Sequence, residues 1–480
     1  MNRRKFIVNN SLALGALTLA PGNLLDSKFL SSDNEFVSNR PPLDKRTFTS
    51  EVIEKIIQEV KSVIADKEIA WMFENCYPNT LDTTVDFEMI DGKPDTFIIT
   101  GDIDAMWLRD STSQVWPYLP LIKSDGKLNL LVQGLINRQV KCVLKDPYAN
   151  AFYKDLNKES EWKTDIPAPI PGVHERKWEV DSLCYVVRLS YKYLELTGDG
   201  SVFGNDWDET MKLIVKTFRT EQRKDGTSPY YFKRKTDVMT DAPPFDGKGS
   251  PVKPTGLICS MFRPSDDSTL FPYLMPSNIF AALSLRQLSE IYRTVLNDSL
   301  FAKECADFAD EVESAVRKYG ISEHLDFGEI YTYEVDGFGN KVFMDDANVP
   351  SLMSLPYLGA HEADDPIYKN TRKFLLSDFN PYYLKGSAAE GQASPHTGKE
   401  MIWPMGIILR AMTSRDKDEI VHCLKMLKST HAGTGFIHEA FHKDNPNNFR
   451  RKWFAWANTL FGELIIKIYQ EHREILSKKF

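Results

Sequence analysis

The stretch SEVIEKIIQEVKSVIADKEIAWMFENC, residues 50–76, contains the repeat that decides the fold of this chain. Its apolar residues recur three or four positions apart, at Val52, Ile53, Ile56, Ile57, Val60 and Val63. This spacing places them on one face of an α-helix, because a helix turns once in about 3.6 residues. A helix with one apolar face must pack that face against another element, so the stretch predicts one part of a larger helical assembly.

Similar helical patterns recur along the chain, separated by segments rich in Gly, Pro and Asp. They cover residues 110–143, 178–197, 206–222, 277–296, 299–318, 350–359, 366–377, 401–413, 416–430 and 451–475. Strand-like runs are short and few, at residues 95–100, 228–234 and 329–339. This succession of helices predicts an all-α fold, an α/α barrel of alternating inner and outer helices with short β-hairpins in its loops. The functional site of such a barrel lies in the loops at one mouth.

The composition indicates a packed globular protein. The chain has 480 residues, of which 42% are hydrophobic and 12% aromatic. Its net charge is −8 and no stretch rich in Lys and Arg stands out, so nucleic acid is not an expected partner. The 9 Trp and 19 Tyr residues would suit stacking against sugar rings, although most such rings in a globular protein belong to its core. We assign residues 48–480 to a single catalytic domain.

The N-terminus has the features of an export signal. The basic run Arg3–Lys5 precedes an apolar stretch at 11–20 that is too short to span a membrane. The Arg pair followed by Lys, Phe and Ile resembles a twin-arginine signal. We expect residues 1–25 to be an export signal, residues 26–47 to be a linker, and the mature protein to be periplasmic without a membrane anchor.

The cysteines are not spaced as C-x-x-C pairs or as a dense disulfide framework, so neither a cysteine zinc site nor a stapled fold is expected. They are Cys76, Cys142, Cys184, Cys259, Cys305 and Cys423. Four of them lie in helical patterns and are expected to be buried thiols. Export of an already folded chain would fit a protein that needs no disulfides.

The loop TGDIDAMWLRDSTSQVWPYL, residues 100–119, concentrates charged and aromatic residues at the start of a helix. It contains Asp102, Asp104, Trp107, Arg109 and Asp110. Asp110 followed by Ser is a plausible N-cap, so part of this pattern is structural. The rest suits a pocket for sugar hydroxyls, in which carboxylates accept hydrogen bonds, an Arg donates them and a Trp stacks.

Four further loops carry acids, histidines or aromatic residues between predicted helices. The stretch MFRPSDDSTLFPYLMPSN at 261–278 places two adjacent acids after an Arg, which is typical either of a turn or of a general acid with a raised pKa. The candidate site residues in these loops are Glu175, Arg263, Asp266, Asp267, Asp345, His396 and Thr397. Each loop alone is a weak signal, and together they indicate a carbohydrate site.

The stretch GFIHEAFHKD, residues 435–444, contains the pattern H-E-x-x-H. On a helix, His438 and His442 would share one face and could bind zinc, with Glu439 as general base and Glu463 as a possible third ligand. The glycines before this pattern and the run KDNPNN at 443–448 disfavour a helix there. A loop glutamate between two hydrogen-bonding histidines is the competing interpretation.

The sequence resembles glycoside hydrolase family 125, the exo-acting α-1,6-mannosidases. The resemblance is carried by TGDIDAMWLRDS, FRPSDD, MDDANVPSL, SPHT and HEAFHKDNP with the later WFAWAN, and it spans roughly residues 48–475. It implies an (α/α)6 barrel, no metal or other cofactor, a mannose-containing oligosaccharide as substrate, and inversion at the anomeric carbon. It also implies that an acid of FRPSDD is the general acid and that Glu439 is the general base.

We assign the general acid to Asp266, with Asp267 as the alternative, and expect the surroundings of Asp266 to raise its pKa. Asp102, Asp104, Trp107 and Arg109 would then hold the terminal mannose in a closed pocket. His438 becomes a residue that lines the site or supports it. The natural glycan, an N-glycan or a mannan, and the oligomeric state stay open.

Three alternatives remain at this point. A zinc metallopeptidase would use His438, Glu439 and His442. A non-catalytic exported protein would bind mannosides without cleaving them. An α/α-barrel hydrolase could also act on another sugar.

Overall fold

The computed structural model describes residues 36–226 and 228–480, so the export signal expected at 1–25 lies outside the described residues. A compact unit spans Val37–Phe480. Arg40 anchors its first residues, since its buried guanidinium donates hydrogen bonds to Glu54 at 2.9 Å and to Asp82 at 2.7 Å. Residues 37–47, expected to be a linker, therefore belong to the folded unit.

Helices dominate the described chain. In chain order they are α1 (Glu51–Lys61), α2 (Lys67–Cys76), α3 (Asn79–Thr83), α4 (Leu108–Val115), α5 (Gly126–Lys145), α6 (Val180–Thr197), α7 (Asn205–Glu221), α8 (Pro244–Gly247), α9 (Met275–Ile291), α10 (Ser299–Tyr319), α11 (Leu355–Leu358), α12 (Pro366–Leu375), α13 (Pro404–Met412), α14 (Lys417–Thr430), α15 (Ala455–Glu471) and α16 (Arg473–Leu476).

The strands are short and form hairpins or three-stranded sheets in the connections. They are β1 (Val85–Ile90), β2 (Lys93–Ile98), β3 (Met106–Trp107), β4 (Ala151–Phe152), β5 (Val173–Glu175), β6 (Tyr273–Leu274), β7 (Ile321–His324), β8 (Gly328–Tyr331), β9 (Glu334–Val335), β10 (Lys341–Val342), β11 (Tyr383–Lys385), β12 (Glu390–Gln392), β13 (Met401–Ile402), β14 (Ala440–His442) and β15 (Asn445–Arg450). The three-stranded sheets have the orders β3-β4-β5, β10-β9-β6 and β13-β14-β15, and the others are the antiparallel pairs β1-β2, β7-β8 and β11-β12.

Six helices form an inner ring, and each of them is paired with one helix of an outer ring. The inner helices are α4, α6, α9, α11, α13 and α15, with α5, α7, α10, α12, α14 and α2 outside them. Every residue of α4 is buried, whereas α10 buries only one stripe, as expected for an inner and an outer helix. The predicted (α/α)6 barrel is confirmed.

The opening stretch 50–76 forms two helices rather than one. Ser50 begins α1 by accepting a hydrogen bond from the amide of Ile53 at 3.2 Å, and α1 ends at Lys61. Asp66 then begins α2, because its carboxylate accepts from the amides of Glu68 and Ile69, both at 3.1 Å. The predicted apolar face is real, since it supplies buried residues of α1, but an aspartate N-cap interrupts the helix.

The strand predictions are confirmed at two of three places. Residues 95–100 overlap β2, and residues 329–339 overlap β8 and β9. The strand predicted at 228–234 is wrong, because only Lys233 pairs there, in an isolated bridge with Ile166. Its alternating pattern reflects burial of Tyr230 and Phe232 against the core without a neighbouring strand.

The two ends of the barrel differ in character. A cavity of about 810 Å³ lies at the end where the inner helices finish, lined by Trp116, Arg188, Tyr357, Thr413, Glu463 and Gln470 among others. The charged loops singled out in the sequence lie at the opposite end, where the inner helices begin.

Two sequence-based expectations concern the whole chain. All six cysteines are buried free thiols, as predicted for the four in helical patterns. Within residues 36–226 and 228–480, no helix is both long enough and apolar enough to cross a membrane.

Candidate active site

The site lies where the inner helices begin. Arg109 and Asp110 stand in the first turn of α4, Glu179 is the N-cap residue of α6, and Arg451 precedes α15. Helix N-termini carry partial positive charge, so this end of the barrel favours carboxylates. The N-cap expected at Asp110 is wrong, because α4 already begins at Leu108.

Arg109 is the buried centre of one half of the site. Its Nη1 donates to Oε2 of Glu179 at 2.7 Å, and its Nη2 lies 3.5 Å from Oδ1 of Asp266. Its Nε is 3.7 Å from Oδ2 of Asp110, and its Nη1 is 4.0 Å from Oδ2 of Asp181. One guanidinium faces four carboxyl groups and cannot neutralise them all.

Burial raises the pKa of several of these carboxyl groups. The pKa values of Asp110 and Asp181 rise to about 6 each because burial outweighs the opposing charge of Arg109. For Glu179, burial and the neighbouring charge of Asp266 raise the pKa well above its ordinary value, against the effect of Arg109. Burial therefore favours the protonated form of Glu179.

Asp266 occupies the solvent-facing edge of the Arg109 cluster. Its backbone has φ 68°, in the left-handed region, and its side chain is 22% exposed. The side-chain Nδ2 of Asn150 donates to Oδ1 of Asp266 at 3.2 Å, and Nζ of Lys177 donates to the main-chain oxygen of Asp266 at 2.8 Å. Burial acts to raise the pKa of Asp266, but Arg109 and Lys177 outweigh burial and lower it. The expected raised pKa is therefore wrong for Asp266 and is found on Glu179 instead.

Asp267, the alternative acid, points into a different set of contacts. Its Oδ1 accepts from the hydroxyl of Thr240 at 3.0 Å and lies 3.3 Å from Nδ1 of His396. Its Oδ2 is buried and has no hydrogen-bond partner among the described residues. Burial would lower the pKa of His396, but the hydrogen bond and charge of Asp267, with the charges of Glu439 and Asp266, raise it to about 9. His396 is therefore a cation at neutral pH.

Glu439 is held on the other side by Arg451. The guanidinium Nη1 lies 3.2 Å from Oε1 of Glu439, and Nε and Nη2 donate to Oδ1 of Asp102 at 2.9 and 2.6 Å. Glu439 is 6% exposed, and its amide donates to the main-chain oxygen of Arg450 at 3.3 Å. Both the carboxylate and the backbone of Glu439 are thus fixed by the segment that leads into α15.

The two halves of the site are connected electrostatically. The charges of Asp266, Asp267 and Glu439 all act on His396, and those of Asp266 and Arg451 both act on Asp110. Three direct contacts group the predicted residues. Arg109 lies beside Asp110 and Asp266, Arg451 joins Asp102 to Glu439, and Asp267 contacts His396.

Trp107 and Asp104 lie in the segment that leads into α4. Trp107 stands on β3 with its ring edge toward His174, at 5.1 Å between centroids, and its Nε1 has no partner among the described residues. It belongs to a small apolar cluster with Ala105, Ala151 and Tyr153. Asp104 is exposed and forms an ion pair with Lys158, so its carboxylate is directed to the outside of the loop.

Glu175 and Arg263 support the walls. Glu175 is buried, accepts from Nη1 of Arg234 at 2.7 Å and lies 3.5 Å from Nζ of Lys177. Arg263 donates to Glu334 at 2.6 Å. Both side chains are engaged within the protein and fix the loops that carry Asp266 and its neighbours.

Three further predicted residues are also engaged by the protein itself. Asp345 accepts hydrogen bonds from the amides of Leu352 and Met353, at 2.9 and 3.0 Å, and from Gln392 at 2.8 Å. The hydroxyl of Thr397 accepts from Nε1 of Trp403 at 2.8 Å. The imidazole of His438 stacks on Phe449 at 3.7 Å, and burial lowers its pKa to about 4. These side chains are engaged within the protein and support the site indirectly.

The HEAFH segment does not form a zinc-binding helix. Ala440–His442 is strand β14, paired with β13 and β15. His438 contacts Thr434 and Phe449, whereas His442 lies 3.3 Å from Glu400. Glu463 accepts from the hydroxyl of Tyr357 at the far end of the barrel. In the part of the chain that the structure describes, no group of three or more His, Cys, Asp or Glu side chains has the arrangement of a metal site.

The sequence analysis missed four residues that organise the site: Asn150, Lys177, Glu179 and Arg451. Glu179 immediately precedes the helical pattern at 178–197, and Arg451 lies in the basic run before the last helix. Their positions at the beginning of inner helices are the signal that would have found them. Asn150 and Lys177 had no such signal, because their roles depend on the pairing of β3, β4 and β5.

The chain is similar to known proteins over most of its length. Residues 66–466 match the family model described as metal-independent alpha-mannosidase (GH125). The meiotically up-regulated gene 157 protein of Schizosaccharomyces pombe is 41% identical over 457 residues, which cover 92% of this chain and 90% of that protein.

Solved structures show the same similarity. A Streptococcus pneumoniae metal-independent α-mannosidase, solved as a non-productive complex with α-1,6-mannobiose, is 40% identical and has a TM-score of 0.84. The match covers 89% of this chain and 100% of that one. A GH78 rhamnosidase of Bacillus sp. GL1, 10% identical with a TM-score of 0.50, covers 83% of this chain and 34% of that one, and supports the fold alone.

Proposed function

The chain belongs to glycoside hydrolase family 125, the metal-independent α-mannosidases, and from this we propose that it is an inverting exo-α-1,6-mannosidase. The observation that carries the proposal is the pair Asp266 and Glu439, each held by its own arginine beside one charged space. The related Streptococcus pneumoniae enzyme was solved with α-1,6-mannobiose, which supports the linkage.

In the proposed reaction Asp266 protonates the glycosidic oxygen and Glu439 takes a proton from water. The bond from C1 to the glycosidic oxygen breaks with its electron pair leaving on that oxygen, while the water oxygen bonds to C1 from the opposite face. The product is β-mannose and a shortened glycan. This geometry requires the two carboxyl groups to stand about 6.5–9.5 Å apart, so that water fits between Glu439 and C1.

The choice of Asp266 over Asp267 rests on their contacts. Asp266 is partly exposed and borders a cluster that stores protons. Asp267 is more deeply buried, and its Oδ1 lies 3.3 Å from Nδ1 of His396. Asp267 therefore suits substrate binding, with its free Oδ2 accepting from a sugar hydroxyl.

Glu439 suits the role of base because its surroundings are cationic. Arg451 contacts it directly, and His396 adds a second positive charge nearby. The contact with Arg451 fixes the carboxyl group that would accept a proton from water.

We further propose that Trp107 and Asp102 bind the terminal mannose in a pocket closed on one side. Trp107 offers an indole N–H and an apolar edge, and Asp102 offers the carboxylate oxygen that Arg451 does not contact. Such a pocket admits a chain end and not a chain interior, which is the requirement of exo action. An N-glycan or a mannan with terminal α-1,6-linked mannose would be the substrate.

The proposed location is the periplasm. The basic run Arg3–Lys5 and the apolar stretch at 11–20 support export as a folded protein. Cell fractionation of the full-length chain, compared with an Arg3→Lys/Arg4→Lys double variant, tests this. Retention of the variant in the cytoplasm would support the twin-arginine route, and unchanged export would refute it.

The experiment that tests the enzymatic proposal is hydrolysis of α-1,6-mannobiose in the presence of excess chelator, followed by NMR of the first anomer released. Release of β-mannose with unchanged rate supports an inverting enzyme. Release of α-mannose would refute inversion, and absence of any hydrolysis would refute the substrate. Parallel assays with α-1,2- and α-1,3-mannobiose test the linkage.

A further inference from the structure

The general acid of the proposed reaction lacks an obvious source for its proton. Asp266 must hold a proton when the glycosidic oxygen arrives, yet Arg109 stands 3.5 Å from its Oδ1 and Lys177 also lies close. Two nearby cations favour a carboxylate there. A second group must therefore keep the proton within reach.

Glu179 is the group placed to do so. Its carboxyl lies beside that of Asp266, because the same two donors contact both carboxyls. Arg109 reaches both through Nη1 and Nη2, and Nδ2 of Asn150 lies 3.5 Å from Oε1 of Glu179 and 3.2 Å from Oδ1 of Asp266. Two carboxyl groups in such contact share a proton, because two adjacent negative charges repel.

The difference in burial decides which carboxyl keeps this proton at rest. Glu179 is fully buried, whereas the side chain of Asp266 is 22% exposed and faces the site. The charged form costs more in the buried position, so the resting proton belongs on Glu179.

We propose that Glu179 is a positioning residue that holds the proton of the Asp266–Glu179 pair and passes it to Asp266 during glycosidic bond cleavage. This inference rests on the proposed function. The proton moves from Glu179 to Asp266 and from Asp266 to the glycosidic oxygen as its bond to C1 breaks. Glu179 is left ionised against Nη1 of Arg109 at 2.7 Å and the hydroxyl of Ser182, which donates to its Oε2 at 2.8 Å. Solvent restores the proton to the pair after Glu439 has released the one it took from water.

The other charged and titratable groups around the pair set its titration. From the neighbouring elements these are Arg109, Asp110, His174, Glu175, Lys177, Asp181 and His396. Since several of them are themselves ionisable, single-residue changes at the pair are the cleanest test.

Glu179→Gln is the first variant, because it keeps the shape and removes the mobile proton. We expect kcat on α-1,6-mannobiose to fall about 10- to 100-fold, with KM little changed, and the alkaline limb of the pH profile to move to lower pH. On 2,4-dinitrophenyl α-mannoside, whose leaving group needs little protonation, the loss should be about twofold or less. An equal loss on both substrates with an unchanged pH profile would overturn the proposal.

Ser182→Ala gives an independent test with the opposite sign. Removing the hydroxyl that stabilises ionised Glu179 should move the alkaline limb to higher pH. Movement to lower pH, or no movement, would count against the shared proton. This variant keeps the test valid even if Glu179→Gln fails to fold.

Glu221→Gln is the matched control. Glu221 is equally buried and pairs with Arg223 at 3.1 Å, but on the outer helix α7. Its substitution likewise replaces a buried carboxyl by an amide of the same shape and should leave both the leaving-group dependence and the pH profile unchanged. A changed leaving-group dependence in this control would make the effect at Glu179 unspecific and overturn the assignment.

A measurement on the free enzyme separates this inference from the proposed function. In pH-difference infrared spectra, the C=O band of a protonated carboxyl should disappear in Glu179→Gln and persist in Glu221→Gln. If the wild-type enzyme fails to cleave α-1,6-mannobiose but keeps this band, the proposed substrate falls and the proton pair stands. If the wild-type enzyme cleaves the substrate but the band persists in Glu179→Gln, the shared proton is refuted and the proposed function is supported.

Discussion

The guanidinium of Arg451 lies 3.2 Å from the carboxylate of Glu439 and fixes the proposed base against the loop that begins the barrel. The same guanidinium donates twice to Asp102, so one side chain links the last inner helix with the first. The position of the proposed base therefore depends on a planar guanidinium group, which offers several hydrogen-bond donors in one plane.

Arg451→Lys should lower kcat about 10- to 100-fold, because an ammonium group cannot contact both carboxylates with the same geometry. Steady-state kinetics on α-1,6-mannobiose measure this. Arg450→Lys, at the exposed neighbouring position, is the control and should stay near wild type. A Lys variant with wild-type kcat would refute the positioning role of Arg451.

Asp266→Asn and Glu439→Gln should each lower kcat/KM on α-1,6-mannobiose by about 10²–10⁴-fold. The two variants should separate on 2,4-dinitrophenyl α-mannoside. Asp266→Asn recovers most of its activity there because acid assistance is not required, whereas Glu439→Gln stays slow because water must still be activated. The reverse pattern would exchange the two roles.

His396 should make the stability of the fold depend on pH. Its pKa rises from 6.5 to about 9 in the folded protein through its hydrogen bond and charge interaction with Asp267, despite the opposing effect of burial. The stabilisation is therefore complete below about pH 6.5 and is lost as the pH rises through about 9. Thermal unfolding of the wild type and of His396→Gln measures it, and the difference in melting temperature should shrink across this range. A difference that grows with pH would contradict the ion pair.

Asp345→Ala should destabilise the protein without changing substrate binding. The substitution leaves the amides of Leu352 and Met353 and the side chain of Gln392 without their acceptor, which costs roughly 2–5 kcal/mol of unfolding free energy. Denaturant unfolding and KM are the measurements. Asp267→Asn provides the contrast, since it should raise KM. A raised KM in folded Asp345→Ala would return that residue to the substrate contacts predicted from the sequence.

His442→Ala should retain activity, and so should the wild type in excess chelator. His442 lies on strand β14 and contacts Glu400, away from His438. The two histidines therefore cannot bind one zinc ion together. Activity assays with metal analysis check this. Loss of both activity and bound zinc in the variant would restore the metallopeptidase interpretation.

The sequence predicted the barrel because its helices bury continuous apolar faces. Periodicity revealed α1 and α2 as apolar surfaces but did not reveal the Asp66 N-cap between them, since a short break preserves the spacing of the apolar residues. At 228–234 the alternation of buried and exposed residues was real, but no second strand lies beside it. A segment forms a β-strand only where it pairs with a neighbouring segment. The sequence of one segment alone does not show that pairing.

The site was predictable where residues are close in the chain and less so where they meet across it. The charged loop at Asp102 to Asp110 and the acids at 266–267 were visible as local concentrations. The different roles of these residues were not visible, because each role depends on how deeply the fold buries the side chain. Asp345 resembles Asp266 in its local sequence, yet Asp345 accepts hydrogen bonds from backbone amides and the side chain of Asp266 is partly exposed. Glu179 escaped notice for the same reason, since only the fold places it against Arg109.

The left-handed backbone of Asp266 restricts which amino acids can serve at this position. At φ 68° a branched or long side chain is strained, whereas Asp and Asn are among the few residues besides Gly that adopt this conformation readily. Glutamate, the other common general acid, would meet both this strain and an added methylene. The exchange Asp266→Glu, which sequence tables rate as conservative, is thus the more disruptive change, and Asp266→Asn is the variant best suited to capturing an intact glycan in the site. The backbone conformation at this position therefore favours aspartate as the proposed general acid.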